Sequence, residues 1–118
     1  MAYDLDRLNV LLVEDDSSML SLVRDILFSF GINNVQTAQD GSKAYAEMRH
    51  FPADIVITDW MMEPLDGLDF TRMIRTSPVS PNPFVPIVML TSYSSVKRVI
   101  EAREVIPPFL GGHISRIH

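Results

Sequence analysis

The sequence predicts an α/β fold, a doubly wound parallel sheet with helices on both faces, and three observations predict it. Short apolar runs without polar alternation, Val10-Leu11-Leu12-Val13, Ile55-Val56-Ile57 and Ile87-Val88-Met89-Leu90, suit strands buried on both faces. The stretches between them repeat their apolar residues at spacings of three and four, the helical period. Each of the three runs then leads into acids or hydroxyls: Glu14-Asp15-Asp16, Asp59 and Thr91-Ser92. Strands alternating with helices need crossover connections, and those are right-handed, which makes neighbouring strands parallel.

The elements follow in order. Residues 9–13 form the first strand. Over residues 17–30, Met19, Leu22, Val23, Ile26, Leu27 and Phe30 predict a helix with one buried stripe, closed by Gly31 as the residue after the C-cap. Residues 35–38 make a weaker second strand. Asp40-Gly41 opens a second helix with Ala44, Tyr45 and Met48 inward, and Pro52 follows it. The third strand, at Ile55-Val56-Ile57, runs into Asp59. Asp66-Gly67 is a turn before a third helix over residues 68–75, in which Phe70, Met73 and Ile74 share a face. Pro78, Pro81, Pro83 and Pro86 forbid regular structure and stiffen a surface loop. A fourth strand covers residues 87–90, and Val96, Val99 and Ile100 mark a fourth helix; past Glu104 the signals weaken.

Composition bounds the function. The 118 residues suit one soluble globular domain spanning 1–118, atypical after about residue 104. A chain of this size buries roughly two-thirds of its unfolded surface, so one core suffices without disulfides or structural zinc. The absence of cysteine excludes thiol catalysis, iron–sulfur clusters and thiolate metal sites. Ten Lys+Arg against fifteen Asp+Glu, net charge −5, argue against a nucleic-acid backbone binder. No apolar run is long enough to span a membrane, and the polar, acid-bearing N-terminus is unlike a signal peptide, so a cytoplasmic protein is expected.

In open parallel sheets ligands sit at the carboxyl ends of the strands, where this topology gathers Glu14, Asp15, Asp59, Thr91 and Ser92. Acids crowded in one crevice repel each other unless a cation or a proton offsets the charge. Oxygen-only ligands suit Mg²⁺, which takes one or two carboxylates, waters and a phosphate oxygen. Asp59 attacking an activated phosphorus yields an aspartyl phosphate. Thr91 can hydrogen-bond a phosphoryl oxygen, and the small Ser92 leaves the approach open. Simpler readings stand beside these. Asp15-Asp16-Ser17 and Thr91-Ser92 can cap helices, and Asp59 can be a turn residue. Trp60, Met61 and Met62 suit packing or a partner face. His50, His113 and His118 lack a metal-like spacing and read as surface residues.

These segments, in this order and spacing, resemble the receiver domain of two-component response regulators, the CheY-like family. The resemblance covers residues 8–109 and rests on Val10-Leu11-Leu12-Val13-Glu14-Asp15-Asp16, Ile57-Thr58-Asp59-Trp60-Met61-Met62, Leu65-Asp66-Gly67 and Leu90-Thr91-Ser92. It implies a five-stranded sheet of order 2-1-3-4-5. It also implies that Asp59 accepts a phosphoryl group from the phosphohistidine of a sensor kinase or phosphotransfer protein and signals to a downstream protein target. Glu14 and Asp15 match the acidic pair that holds Mg²⁺, and the backbone carbonyl of Met61 matches the third protein ligand. Thr91 matches the switch hydroxyl, and Phe109 falls near the switch aromatic. Any enzymatic activity is limited to the domain's own phosphorylation and dephosphorylation.

Two departures stand out. Met62 is followed by Glu63 before Pro64, where the family has Met-Pro; this reshapes a loop. The family's fifth strand ends in Lys-Pro, whereas the matching positions, read from Phe109-Leu110, hold Gly112 and His113; the chain's only lysines are Lys43 and Lys97. Residues 114–118 are also too few for a last helix, so that helix is expected to be truncated or missing and part of one sheet face exposed. A homodimer or swapped assembly through that C-terminal face is expected, with a fragment or an altered reading frame as the other explanation. The competing functional reading is a degenerate receiver that binds proteins without phosphorylation. A flavin- or nucleotide-binding enzyme is disfavoured by the lack of a Gly-rich phosphate loop.

Overall fold

Each of the three apolar runs becomes a strand in the computed structural model of the chain, which describes residues 5–60, 62, 65–91 and 113–116. A short 3-10 turn at Leu5–Arg7 leads into β1 (Asn9–Val13), α1 (Ser17–Ser29), β2 (Asn34–Ala38), α2 (Gly41–Glu47) and β3 (Ile55–Asp59). Then come α3 (Gly67–Thr76), β4 (Ile87–Thr91) and β5 (His113–Arg116). The five strands form one sheet of order β2-β1-β3-β4-β5, with every neighbouring pair parallel. That is the architecture the sequence predicts.

The register fixes what meets at the carboxyl edge. Val13 lies beside Thr58, Asp59 beside Leu90, and Thr91 beside Arg116. The turn signals also do what their chemistry requires. Asp16, Asp40 and Asp66 are the N-caps of α1, α2 and α3, each accepting from backbone N–H groups of the first turn. Gly31, just past the C-cap Phe30, takes φ 88°, a conformation glycine adopts without strain.

One face of the sheet carries the main core. Leu11, Val13, Val56 and Ile87 pack there with Ala44, Tyr45 and Met48 of the second helical segment and with Phe70 and Ile74 of α3. Side chains alternate along a strand, so Val10 and Leu12 belong to the opposite face, where the right-handed crossover places α1. Val10 and Leu12 are buried there, but over β3 and β4 that face is less covered. Ile55, Ile57, Val88 and Leu90 are only half-buried although they sit on interior strands.

Two expectations need correction. The stripe on α1 does not face inward as a whole: Leu20 is buried and Val23 and Leu27 are half-buried, while Met19, Leu22, Ile26 and Phe30 are exposed, Leu22 at 54% and Phe30 at 67%. At 3.6 residues per turn, the 20–23–27 line and the 19–22–26–30 line lie about 100° apart, and only the first meets the sheet. The second correction concerns the last strand, which begins at His113 rather than ending near it. Gly112 therefore precedes the strand, and the residue at its carboxyl end is Arg116. The fourth helix at Val96, Val99 and Ile100, together with Met61, Ser92 and Phe109, lies outside the described residues.

Candidate functional site

β1 delivers Glu14 to the carboxyl edge, where it is 7% exposed and its backbone N–H donates to Ala38 O at 3.0 Å. Its Oε2 turns back to accept from Asp15 N at 3.0 Å and Asp16 N at 3.5 Å. Asp16 serves the helix: its Oδ1 accepts from Ser18 N at 2.9 Å and Met19 N at 3.5 Å. Capping and site chemistry are thus divided among consecutive acids. Asp16 caps α1, leaving buried Glu14 and exposed Asp15 to face the crevice.

β3 delivers Asp59, half-buried, whose Oδ1 accepts from Trp60 N at 2.8 Å. The same N–H reaches Leu90 O at 3.2 Å, so the first residue beyond β3 is tied both to the acid and to β4. Thr58 Oγ1 donates to Asp59 O at 3.0 Å. Gly67 holds the following loop against this point, donating its N–H to Trp60 O at 2.9 Å. A Cβ on Gly67 would stand 2.2 Å from Asp59 O, so this close approach admits only glycine.

Glu14, Asp15 and Asp59 each present a carboxylate oxygen, all within 4.8 Å of one another. Burial, followed by the hydrogen bond and the negative charge of Asp59, raises the Glu14 pKa to about 8. A buried carboxyl held neutral by its neighbours is what a cation of higher charge displaces. Three oxygen donors, one buried, one half-buried and one open to solvent, fit a hard divalent ion such as Mg²⁺ that keeps part of its water shell.

Of the residues the sequence singled out, Glu14, Asp15 and Asp59 come together. The backbone of Thr91 ends β4 at the same edge, one residue beyond the Leu90 partner of Asp59. Sequence reasoning missed two contributors. Gly67 was legible only as part of a turn, because its contact with Asp59 is tertiary. Thr58 was read only as part of the segment that ends in Asp59, with no role given to its hydroxyl.

Residues 10–105 match the family described as the response regulator receiver domain. The chain is 31% identical over 108 residues to the chemotaxis protein CheY-3 of Vibrio cholerae, spanning 86% of this chain and 82% of that protein. It is 32% identical over 97 residues to the transcriptional regulatory protein ZraR of Escherichia coli, a match covering 82% of this chain and 21% of that protein. Among solved structures, Vibrio cholerae chemotaxis protein CheY4 superposes with a TM-score of 0.74 at 28% identity, covering 93% of this chain and 84% of that one. The receiver domain of NtrX from Brucella abortus shares the fold, with a TM-score of 0.73 at 24% identity over 92% of this chain and 83% of that one.

Proposed function

The chain belongs to the response regulator receiver domain family, and from that premise we propose that it accepts a phosphoryl group on Asp59 with Mg²⁺ held by Glu14 and Asp15. The single observation that carries this reading is the trio of carboxylate oxygens within 4.8 Å at the carboxyl edge of a parallel sheet. Asp59 is the nucleophile. One of its carboxylate oxygens attacks phosphorus, a new O–P bond forms, and the bond from phosphorus to the donor's imidazole nitrogen breaks. The leaving imidazole keeps the electron pair and takes a proton from solvent. The Trp60 N–H at Asp59 Oδ1 fixes the carboxylate against rotation, and Gly67 keeps the backbone behind it in place. Bound Mg²⁺ supplies positive charge against the acids and the transferred oxygens; Met61, through its carbonyl, is proposed as its further protein ligand. Thr91 is proposed to bond a phosphoryl oxygen, beside Ser92, and Phe109 to report the change.

The donor is proposed to be a sensor histidine kinase or phosphotransfer protein, and the output a contact with a downstream protein. The sheet face bearing half-buried Ile55, Ile57, Val88 and Leu90 is proposed to be covered by a second copy of the chain. Light scattering across a concentration series tests that: a rise from monomer to dimer mass supports it, and a constant monomer mass removes it. The phosphoacceptor assignment is tested with labelled acetyl phosphate. Wild type takes up label, Asp59→Asn takes up none, and Asp15→Asn is slowed about tenfold or more through loss of the metal. Equal labelling of wild type and Asp59→Asn overturns the assignment.

A further inference from the structure

The amino edge of the sheet carries a cleft that the phosphoryl chemistry does not use. All strands are parallel, so the starts of β1, β3 and β4 meet at this edge. Asp54 stands there just before β3, roughly 16 Å from Asp59 by the rise of a strand. The cleft has a volume of about 450 Å³, within the range of small-ligand sites. Met48, Phe51, Ala53 and Pro81 give it an apolar lining, with Met48 buried and Phe51 and Ala53 half-buried.

Both walls are held by hydrogen bonds. On one side Asp54 N donates to Asn9 O at 2.8 Å, and Asn9 N donates to Asp54 Oδ2 at 2.8 Å. On the other, two successive proline turns shape the loop, closed by Ser80 N to Ser77 O at 3.1 Å and Val85 N to Asn82 O at 3.3 Å. Arg75 ties that loop to α3, donating to Pro83 O at 2.9 Å and Val85 O at 2.8 Å. Phe84 N donates to Asn82 Oδ1 at 3.2 Å, which orients the Asn82 side chain and leaves its two N–H donors unspent. Opposite charges line the cleft without meeting. The side chains of exposed Arg49 and His50 have no hydrogen bond or ion pair among the described residues, and Asp54 Oδ1 is likewise unspent.

We propose that this cleft binds a small zwitterion with an apolar body, an amino acid of the leucine or phenylalanine class, its carboxylate on Arg49 and its ammonium on Asp54. A ligand with a single charge would leave the other group of the cleft desolvated and unpaired, whereas a zwitterion satisfies both. The arginine fork matches a carboxylate two oxygens at a time, and Asn82 adds neutral donors to the same cleft. The apolar body takes the side of Met48 and Phe51. Because Asp54 and the proline loop are already held, binding orders little besides Arg49. The site uses neither Mg²⁺ nor Asp59, so it stands apart from the phosphoacceptor reading.

The experiment follows the backbone amide signals of the isotope-labelled full chain, in buffer containing a chelator, as phenylalanine is added. Saturable shifts confined to residues 48–54 and 80–85 are expected, with a Kd on the order of 1 mM, which about a dozen heavy atoms can reach. Phenethylamine and phenylpropionate each lack one of the two charges and should bind wild type about tenfold more weakly. Arg49→Gln and Asp54→Asn should each weaken phenylalanine binding about tenfold. Asp54→Asn keeps an oxygen for Asn9 N and should leave phenylpropionate binding no weaker, since that probe has no ammonium to lose. Asp59→Asn should bind phenylalanine as wild type does. No saturable shift in wild type, or equal binding of the three probes, overturns the proposal. Shifts centred on Trp60 and Gly67 place the ligand at the other edge and overturn it too. Where a variant gives no folded spectrum, the three probes on wild type decide. Phosphoryl uptake is not read in any arm, so failure here leaves the Asp59 assignment standing.

Discussion

Glu14 keeps its proton to about pH 8 because burial and the adjacent Asp59 disfavour its charged form. The native state therefore binds a proton that the unfolded chain releases near its ordinary value of 4.5, and stability contributed by that proton is lost as pH rises from there toward 8. In metal-free buffer the melting temperature is expected to fall across this window. Glu14→Gln should flatten the fall and melt on the order of 5 °C higher than wild type at pH 8.5. Mg²⁺ competes with the same proton, so its affinity for wild type should rise with pH and level off above about 8. A pH-independent affinity contradicts this. Gly67→Ala drives a methyl group into Asp59 O and should cost about 1–3 kcal/mol in urea unfolding, with weaker Mg²⁺ binding. At this scale the acids were legible because each ends an apolar run. Gly67 was not, since its partner lies eight positions back in sequence and meets it only after the loop folds.

α1 shows how far a helical pattern can be read. Its period predicts a helix, and Asp16 predicts where it starts, but six apolar residues over so wide an arc do not say which line faces the sheet. Only packing chooses Leu20, Val23 and Leu27. Asp16→Ala should cost about 1 kcal/mol by loss of the cap and leave Mg²⁺ affinity within about twofold, since that carboxylate is spent on Ser18 and Met19. A large fall in affinity would place Asp16 among the ligands instead. α3 was read closely because Phe70 and Ile74 are both fully buried and Asp66-Gly67 marks its start. The bounds of β5 escaped the sequence reading for the converse reason. His113-Ile114-Ser115-Arg116 has no apolar run, and the Pro107-Pro108 and Gly111-Gly112 pairs before it break any period. Its place depends on pairing with β4, a non-local property.

The whole molecule follows from two levels of pattern that agree. Buried apolar strands specify a parallel sheet, and the handedness of its crossovers brings Glu14, Asp15 and Asp59 to one edge. Folding thereby gathers like charges, a cost that a bound cation offsets. Mg²⁺ at one hundred times its Kd should stabilise the native state by about 2.7 kcal/mol, and chelation should remove that gain. Calorimetry with and without chelator checks this, with Asp15→Asn as the variant that gains least. The central claim is that this edge is a magnesium-dependent phosphoacceptor. Intact mass after incubation with acetyl phosphate, with and without Mg²⁺, tests it most directly. One phosphoryl adduct that requires Mg²⁺ and is missing from Asp59→Asn is the predicted result; a folded wild-type sample that gains no adduct with Mg²⁺ present contradicts it.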